Sequence, residues 1–338
     1  STTTACNEST VSVTASQGFT GGNTLEYYWY YYDPAQSGLG WQTITNGGVY
    51  TTANTSPDLI ISDATSVVTH QFYCEVREDD ATCYSASDAI QITISTATWM
   101  SDTWNWNDGT LIGTMPSLST NVILAANYDT AVGGVQTSFS ACNLIVNAGS
   151  ELIIANNDYV QVKNNVTING SILVETQGSF VQNGVGANAG TFTNNGTASV
   201  NKQTTDFFDD GFNYHYTYWS SPVANTDIAT VFPNPRGGRR FYFDTSQFID
   251  TDEDDVSDSP NDWQTATGSM ERGRGYAVTA TTPPGIPPYN NTNTFNGAYN
   301  TGDIPKSIDM NSYTGDNDWN FIGNPYPSAI DFKKLYDQ

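Results

Sequence analysis

The residues best suited to chemistry form an acidic run between Asp250 and Asn261. Oxygen-bearing side chains recur along this run at positions 1, 3, 5, 9 and 12, which are Asp250, Asp252, Asp254, Asp258 and Asn261. A loop with ligands at alternate positions wraps around one hard cation, and Ca²⁺ accepts about six to eight oxygen ligands. The spacing therefore predicts a Ca²⁺ site. The alternative is a solvated acidic loop that binds cations only loosely.

The run resembles the calcium loops of thrombospondin-type repeats, with one departure. Those loops usually have glycine where this chain has Asp255. A residue with a side chain is strained in the left-handed conformation that a tight turn needs. The crowding of like charges nevertheless favours a bound cation, because the carboxylates repel one another unless a cation neutralises them.

Residue types for catalysis are scarce. The two histidines, His70 and His215, are far apart in sequence, so no histidine-based triad or zinc-protease motif is present. A polysaccharide lyase needs a basic residue to abstract a proton, yet residues 97–200 contain Lys163 and no arginine. We therefore expect no catalytic residues and no enzyme. A hydrolase that works through paired carboxylates stays open, because the chain has 35 acidic residues.

Composition limits the partners and the class of fold. The formal net charge is -24 with 11 Lys and Arg, which repels the phosphate backbone of nucleic acids. No apolar run approaches the roughly 20 residues that cross a bilayer, so we expect no direct membrane insertion and no leader at Ser1. Abundant Asn, Thr, Ser and Gly favour short strands with polar turns, and we expect an all-β fold.

The cysteines are not arranged in the close pairs of zinc sites, so a disulfide is the better interpretation of them. We prefer Cys6 with Cys83, because Cys6 precedes the first clear strand and Cys83 stands in a turn. The pair Cys6 and Cys74 is the alternative. Cys142 lies beside apolar residues, where we expect a free, buried cysteine.

Residues 1–96 have the pattern of a β-sandwich, with short alternating segments separated by Gly, Asn, Asp and Ser. The set resembles an immunoglobulin-like (Ig-like) domain of bacterial surface proteins. Six consecutive aromatic residues, Tyr27 to Tyr32, predict a strand with Trp29 on one face. We expect this face to pack in the core, and a carbohydrate platform that includes Trp29 is the alternative.

Residues 97–200 have the period of a parallel β-helix, a solenoid of stacked coils. Apolar residues recur 22 positions apart from Leu144 to Val166 and 20 positions apart from Leu152 to Ile172, and Phe192 follows Ile172 by 20. The side chains expected to point inward are Leu144, Leu152, Val160, Val166, Ile172, Val174 and Phe180. Asn and Gly at the expected corners support this interpretation. An irregular β-sandwich is the alternative.

Three tryptophans precede the first coil, namely Trp99, Trp104 and Trp106. An open solenoid end needs an apolar cover, so we expect them to form a cap. Stacking on sugars is the alternative, and Trp29, Trp104 and Trp106 are the candidate glycan-binding residues. Residues 201–338 lose the period, and we expect a third domain with antiparallel β structure that carries the acidic loop.

Short phrases in the last third resemble a known class of protein. They are Tyr218–Val223 (YWSSPV), Gly273–Val278 (GRGYAV), Thr294–Gly297 with Thr301–Ile304, and Phe321–Ser328 (FIGNPYPS). In this order they resemble modular, adhesin-like cell-surface proteins of the Bacteroidetes, exported by the type IX secretion system. Such proteins end in a sorting domain that this sequence lacks at Gln338, so we expect it to belong to a longer chain.

The resemblance implies an extracellular or outer-surface location and a noncatalytic function in adhesion, surface-layer assembly or filament assembly. The expected partners are other copies of the chain, other surface proteins or glycans. A carbohydrate-binding accessory module is the alternative. A β-helical enzyme that degrades polysaccharides is a further one.

Overall fold

The structure is a computed structural model that describes residues 2–4, 6, 9–12, 24–51, 56–78, 83–107, 113–184, 190–204, 215–252, 254, 256–281, 290–308, 319–331 and 333. The fold is nearly all β, as the composition predicts. The chain divides into two compact units. Unit 1 contains Ser1–Thr98, Trp104–Ile123 and Ser140–Asn143, and unit 2 contains Trp99–Thr103, Leu124–Phe139 and Leu144–Gln338. No helix of the described residues is long and apolar enough to cross a membrane.

The first fourteen strands are β1 (Thr2–Thr4), β2 (Ser9–Ser12), β3 (Leu25–Tyr32), β4 (Gln42–Thr43), β5 (Tyr50–Thr51), β6 (Asp58–Ile61), β7 (Gln71–Glu78), β8 (Tyr84–Ala86), β9 (Ile90–Thr93), β10 (Ser95–Met100), β11 (Thr103–Trp106), β12 (Thr120–Leu124), β13 (Tyr128–Asp129) and β14 (Phe139–Ala141). The later strands are β15 (Asn143–Val146), β16 (Glu151–Ile154), β17 (Tyr159–Val162), β18 (Val166–Ile168), β19 (Ser171–Val174), β20 (Ser179–Gln182), β21 (Phe192–Asn194), β22 (Thr197–Gln203), β23 (Tyr216–Trp219), β24 (Arg240–Phe243), β25 (Trp263–Thr265), β26 (Tyr276–Thr279) and β27 (Thr292–Asn296). The helix α1 is Ile228–Val231, and short 3-10 turns occupy Pro34–Leu39, Ala64–Val67, Thr130–Val132, Arg236–Gly238 and Thr245–Gln247.

Unit 1 contains the predicted Ig-like β-sandwich. One sheet has the order β1-β9-β7-β3-β4 with β8 beside β7, and the other has the order β2-β6-β5. Strand β1 runs parallel to β9, whereas β3 and β7 are antiparallel along their whole length. Trp29 and Phe72 from the first sheet meet Leu59 and Ile61 from the second in one fully buried core. Burial of these large apolar side chains is what holds the two sheets together.

Unit 2 contains the predicted parallel solenoid, with about four turns. Its coils repeat three strands, so that β15 pairs with β18, β16 with β19, and β17 with β20, all parallel. The seven side chains expected to point inward are at most 1 % exposed, namely Leu144, Leu152, Val160, Val166, Ile172, Val174 and Phe180. The prediction of an apolar column is therefore confirmed.

One detail of the predicted period is wrong. Phe192 lies opposite Val166 on β18, and Ile172 pairs with Ala198 instead. The reason is the connection between coils, which spans residues 163–165 before β18 but residues 183–191 before β21. An apolar period assumes equal connections, so the longer one shifts the last coil out of phase.

Asn and Gly residues occupy corners of the solenoid, as the sequence predicts. Side-chain amides bridge successive coils, for example from Asn195 Nδ2 to Asn169 Oδ1 at 2.9 Å. Gly170 and Gly196 lie directly below the preceding coil, where a Cβ atom on Gly170 would collide with the carbonyl oxygens of Asn147 and Ser150. The corner stack therefore requires glycine because of close backbone approach.

The expected cysteine pairing is wrong. Cys6 forms a disulfide with Cys142, with their Cα atoms 5.7 Å apart, and not with Cys83 or Cys74. Cys83 is exposed, while Cys74 lies on β7 in the sandwich core opposite Trp29. Cys142 is therefore not the free cysteine. Its partner is 136 residues away and is brought close only by the fold of unit 1.

The expected antiparallel region after residue 200 is confirmed. Its sheet has the order β23-β26-β24-β25, and β27 pairs antiparallel with the last solenoid strand β22. Tyr299 follows β27 and stacks on Phe192 with ring centroids 4.9 Å apart. Its hydroxyl donates to Ser199 O at 2.7 Å, and the side chain is 3 % exposed. The C-terminal region therefore covers the last coil and shields its apolar interior from water.

Candidate functional site

The acidic loop brings three of its predicted carboxylates together. Oxygen atoms of Asp250, Asp252 and Asp254 lie within 4.8 Å of one another. Two oxygens bound to one Ca²⁺ at about 2.3–2.6 Å are at most about 5 Å apart, so this spacing fits a shared ion. Asp250 is 6 % exposed, and its Oδ1 accepts a hydrogen bond from the Asp254 amide at 3.2 Å. That bond curls the backbone so that alternate side chains converge.

Asp258 and Asn261, the other predicted ligands, have different contacts. Asp258 Oδ2 accepts hydrogen bonds from the amide of Thr251, at 2.8 Å, and from its hydroxyl. These bonds close the loop, and Asp258 is outside the group of three. Asn261 accepts at its backbone carbonyl from Gln264 Nε2, at 2.6 Å. The predicted departure at Asp255 lies outside the described residues.

Charge repulsion and hydrogen bonding shift the pKa values of two carboxyl groups of the loop in opposite directions. The pKa of Asp252 is raised chiefly by the neighbouring Asp254, then by desolvation, Asp258 and Asp250. The pKa of Asp258 is lowered, because the hydroxyl and amide of Thr251 stabilise its charged form. The loop thus contains one carboxylate whose ionisation the fold opposes, and one whose ionisation it favours.

The candidate glycan-binding tryptophans are mostly unavailable. Trp29 is fully buried in the sandwich core, as expected, so the alternative of a carbohydrate platform that includes Trp29 is wrong. The alternation of β3 turns it inward, and its indole donates to Ser56 O at 3.4 Å. Trp104 is 6 % exposed and Trp106 is half-buried. Trp99 packs edge-to-face on Tyr128 of the solenoid, with centroids 4.9 Å apart.

His70 has a structural environment. Its ring stacks on Tyr31 with centroids 5.3 Å apart, and Nε2 lies 3.6 Å from Asp33 Oδ1. Burial lowers the pKa of His70, although Asp33 acts in the opposite direction. These contacts fix the ring at the edge of the sandwich core.

The short phrases that resemble those of adhesin-like proteins lie close together within unit 2. The Gly275 amide donates to Phe321 O at 2.8 Å, which joins the GRGYAV phrase to the FIGNPYPS phrase. Asn300 Nδ2 donates to Ser221 O at 3.0 Å and to Pro325 O at 2.9 Å. The phrases are thus held together by backbone and amide hydrogen bonds.

This junction also reaches the solenoid. The amide of Phe180 on β20 donates to Pro327 O at 2.9 Å. Two pockets border the junction. One of about 330 Å³ is lined in part by Lys202, Tyr218 and Phe321, and one of about 310 Å³ is lined in part by Asp303.

Sequence reasoning missed an aromatic surface on the sandwich. On the side of β3 opposite Trp29, cross-strand pairing gathers residues from β3, β7, β8 and the segment before β4. We call it the outer face and define it by Tyr30, Trp41, Tyr73, Glu75, Arg77 and Tyr84. The aromatic run at Tyr27–Tyr32 was a signal for it, but the alternation of the strand places Tyr30, and not Trp29, on this side.

These features define a two-unit all-β protein, with an Ig-like sandwich in one unit and a parallel solenoid joined to an antiparallel sheet in the other. Residues 94–338 match the family model described as "Domain of unknown function (DUF8693)". The chain belongs to that family. No curated protein and no solved structure matches it.

Proposed function

We propose that this protein is a noncatalytic, extracellular surface protein that acts in adhesion, surface-layer assembly or filament assembly. The observation that carries the proposal is the continuous solenoid core, which Tyr299 and the C-terminal region cover at its last coil. A solenoid filled with apolar side chains has no internal cleft and serves as a stiff spacer. The resemblance of the phrases supports export to the outer surface through the type IX route.

The chemistry of the pockets supports a noncatalytic function. Beside neutral groups and tyrosines, the larger pocket has one charged residue, Lys202, and the other has Asp303. Glycoside hydrolysis needs two carboxyl groups about 5–10 Å apart across the scissile bond. Among the described residues, neither pocket lining offers such a pair.

We propose further that Ca²⁺ binds between Asp250, Asp252 and Asp254. The ion would neutralise the repulsion that raises the pKa of Asp252, and would hold together a loop that connects β24 to β25. Its purpose in this proposal is to stabilise the antiparallel sheet in the calcium-containing space outside the cell.

The test of the noncatalytic function is incubation of the purified protein with plant, algal and bacterial polysaccharides. Reducing ends and unsaturated sugars should not exceed those in a heat-inactivated control. Antibody labelling of intact cells should place the protein on the outer surface, and mild native extraction should recover it in high-mass species. Reproducible cleavage that disappears after substitution of one carboxylate would overturn the proposal.

A further inference from the structure

The outer face carries exposed aromatic rings at two positions. Trp41 is 40 % exposed and Tyr84 is 55 % exposed. Large aromatic side chains are costly to leave in water, and natural surfaces retain them where they contact a partner. This face belongs to the sandwich of unit 1, whereas the acidic loop belongs to unit 2.

The rings are held in fixed positions by one another. Tyr30 stacks on Tyr73, with centroids 4.8 Å apart and planes 8° from parallel. Trp41 meets Tyr73 edge-to-face at 4.7 Å and 88°. A surface whose rings are already ordered loses little conformational freedom when a ligand binds.

A polar group is embedded among these rings. Glu75 accepts hydrogen bonds from the hydroxyl groups of Tyr30, at 3.2 Å, and Tyr73, at 3.3 Å, and from Arg77 at 2.8 Å. The guanidinium of Arg77 in turn lies 5.3 Å from the ring centroid of Tyr84. Burial, and then the charge of Glu75, raise the pKa of Tyr73 to about 12.

The charge of the outer face restricts the partner. Arg77 is paired with Glu75, so the outer face carries no uncompensated positive charge among its defining residues. The chain as a whole has a net charge of -24, which repels anionic polymers. An uncharged ligand with apolar and hydroxylated surfaces fits these properties best.

We propose that the outer face binds a neutral glycan. The apolar C–H faces of pyranose rings stack on Trp41 and Tyr84, and sugar hydroxyls bond to the tyrosine hydroxyl oxygens and Arg77 between them. The inference rests on the proposed adhesive function and names the class of its partner. A binding measurement tests the glycan proposal, whereas polysaccharide cleavage tests the noncatalytic function. Either proposal can therefore fail without the other.

The experiment is calorimetric titration of the full chain with hexasaccharides of cellulose, xylan, mannan and laminarin, and with the anionic hexamer of polygalacturonate. We expect at least one neutral hexamer to bind and the anionic hexamer not to bind. Trp41→Ala and Tyr84→Ala should each weaken binding about tenfold, which is the loss of one aromatic contact. Tyr159→Ala removes a tyrosine that is 48 % exposed on the solenoid and should change nothing.

Other outcomes reject the proposal. It is overturned if none of the neutral hexamers binds, or if binding is unchanged in both Trp41→Ala and Tyr84→Ala. It is also overturned if sedimentation shows a dimer of the chain that Trp41→Ala dissociates, because the face would then be an interface between copies. Tyr84 is the more exposed of the two rings, so its substitution gives a result even if Trp41→Ala impairs folding.

Discussion

The four cysteines occupy three chemically different environments. Cys6 and Cys142 are joined, Cys74 is buried in the sandwich core, and Cys83 is exposed. Burial raises the pKa of Cys74 to about 12. Since the thiolate is the reactive form, Cys74 is inert near neutral pH while Cys83 is open to reagents.

This contrast predicts the thiol count of the native protein. Titration with a thiol reagent at pH 8 without reductant should give one fast thiol, and a second only after unfolding in guanidinium. Cys83→Ser should abolish the fast reaction, whereas Cys74→Ser should leave it unchanged. Two fast thiols in the native protein would contradict the burial of Cys74, and four thiols after unfolding would contradict the disulfide between Cys6 and Cys142.

At the scale of elements, the solenoid depends on backbone contacts at its corners as much as on its apolar column. Gly170 and Gly196 stack against the preceding coil with no room for a side chain. Adjacent coils must stay within hydrogen-bonding distance along every strand, so a corner that is pushed outward weakens the ladders on both sides of it.

Gly170→Ala should therefore lower the melting temperature strongly, by several degrees, because its Cβ would overlap two carbonyl oxygens of the preceding coil. Gly38→Ala is a matched control, since no atom lies within 4 Å of the position of its Cβ. Thermal unfolding followed by circular dichroism measures both. Equal melting temperatures for the two variants would contradict the close corner stack.

The acidic loop gives a prediction that depends on both calcium and pH. The raised pKa of Asp252 means that ionisation disfavours the folded state, and that this penalty is relieved as pH falls through the raised value. The pKa of Asp258 is lowered from its ordinary value of 3.8. Its charged form therefore contributes stability above that value, and this stability is lost as the pH falls through the lowered pKa. The two effects therefore occupy separate pH windows.

Chelation of calcium should lower the melting temperature at pH 7 and have a smaller effect as the pH approaches about 4, because protonated carboxylates neither repel nor bind the ion. Asp252→Asn should remove most of the response to calcium and raise the stability of the chelated protein. Asp88→Asn, at an exposed carboxylate outside the loop, should keep the full response. Coincident melting curves with calcium and with chelator would reject the site.

For the whole molecule, sequence reasoning succeeded where a local period carried the information. The recurrence from Leu152 to Ile172 predicted the coil, because each inward position repeats the same apolar requirement. It failed for Cys6 and Cys142, whose proximity depends on contacts across 136 residues of chain. It also missed the outer face, since Trp41 joins Tyr73 only through the pairing of strands.

The solenoid core gives the last prediction at this scale. Ile172 is 1 % exposed and lies between Leu152 and Ala198 in consecutive coils. Ile172→Asp would place an unpaired charge in this column and should reduce the free energy of unfolding by several kcal/mol, a large share of the roughly 5–15 kcal/mol of an ordinary domain. Ile145→Asp makes the same change at a site that is 36 % exposed and should have a far smaller effect. Equal denaturant midpoints for the two variants would contradict a continuous buried column, because only a buried carboxylate loses its hydration when the coils stack.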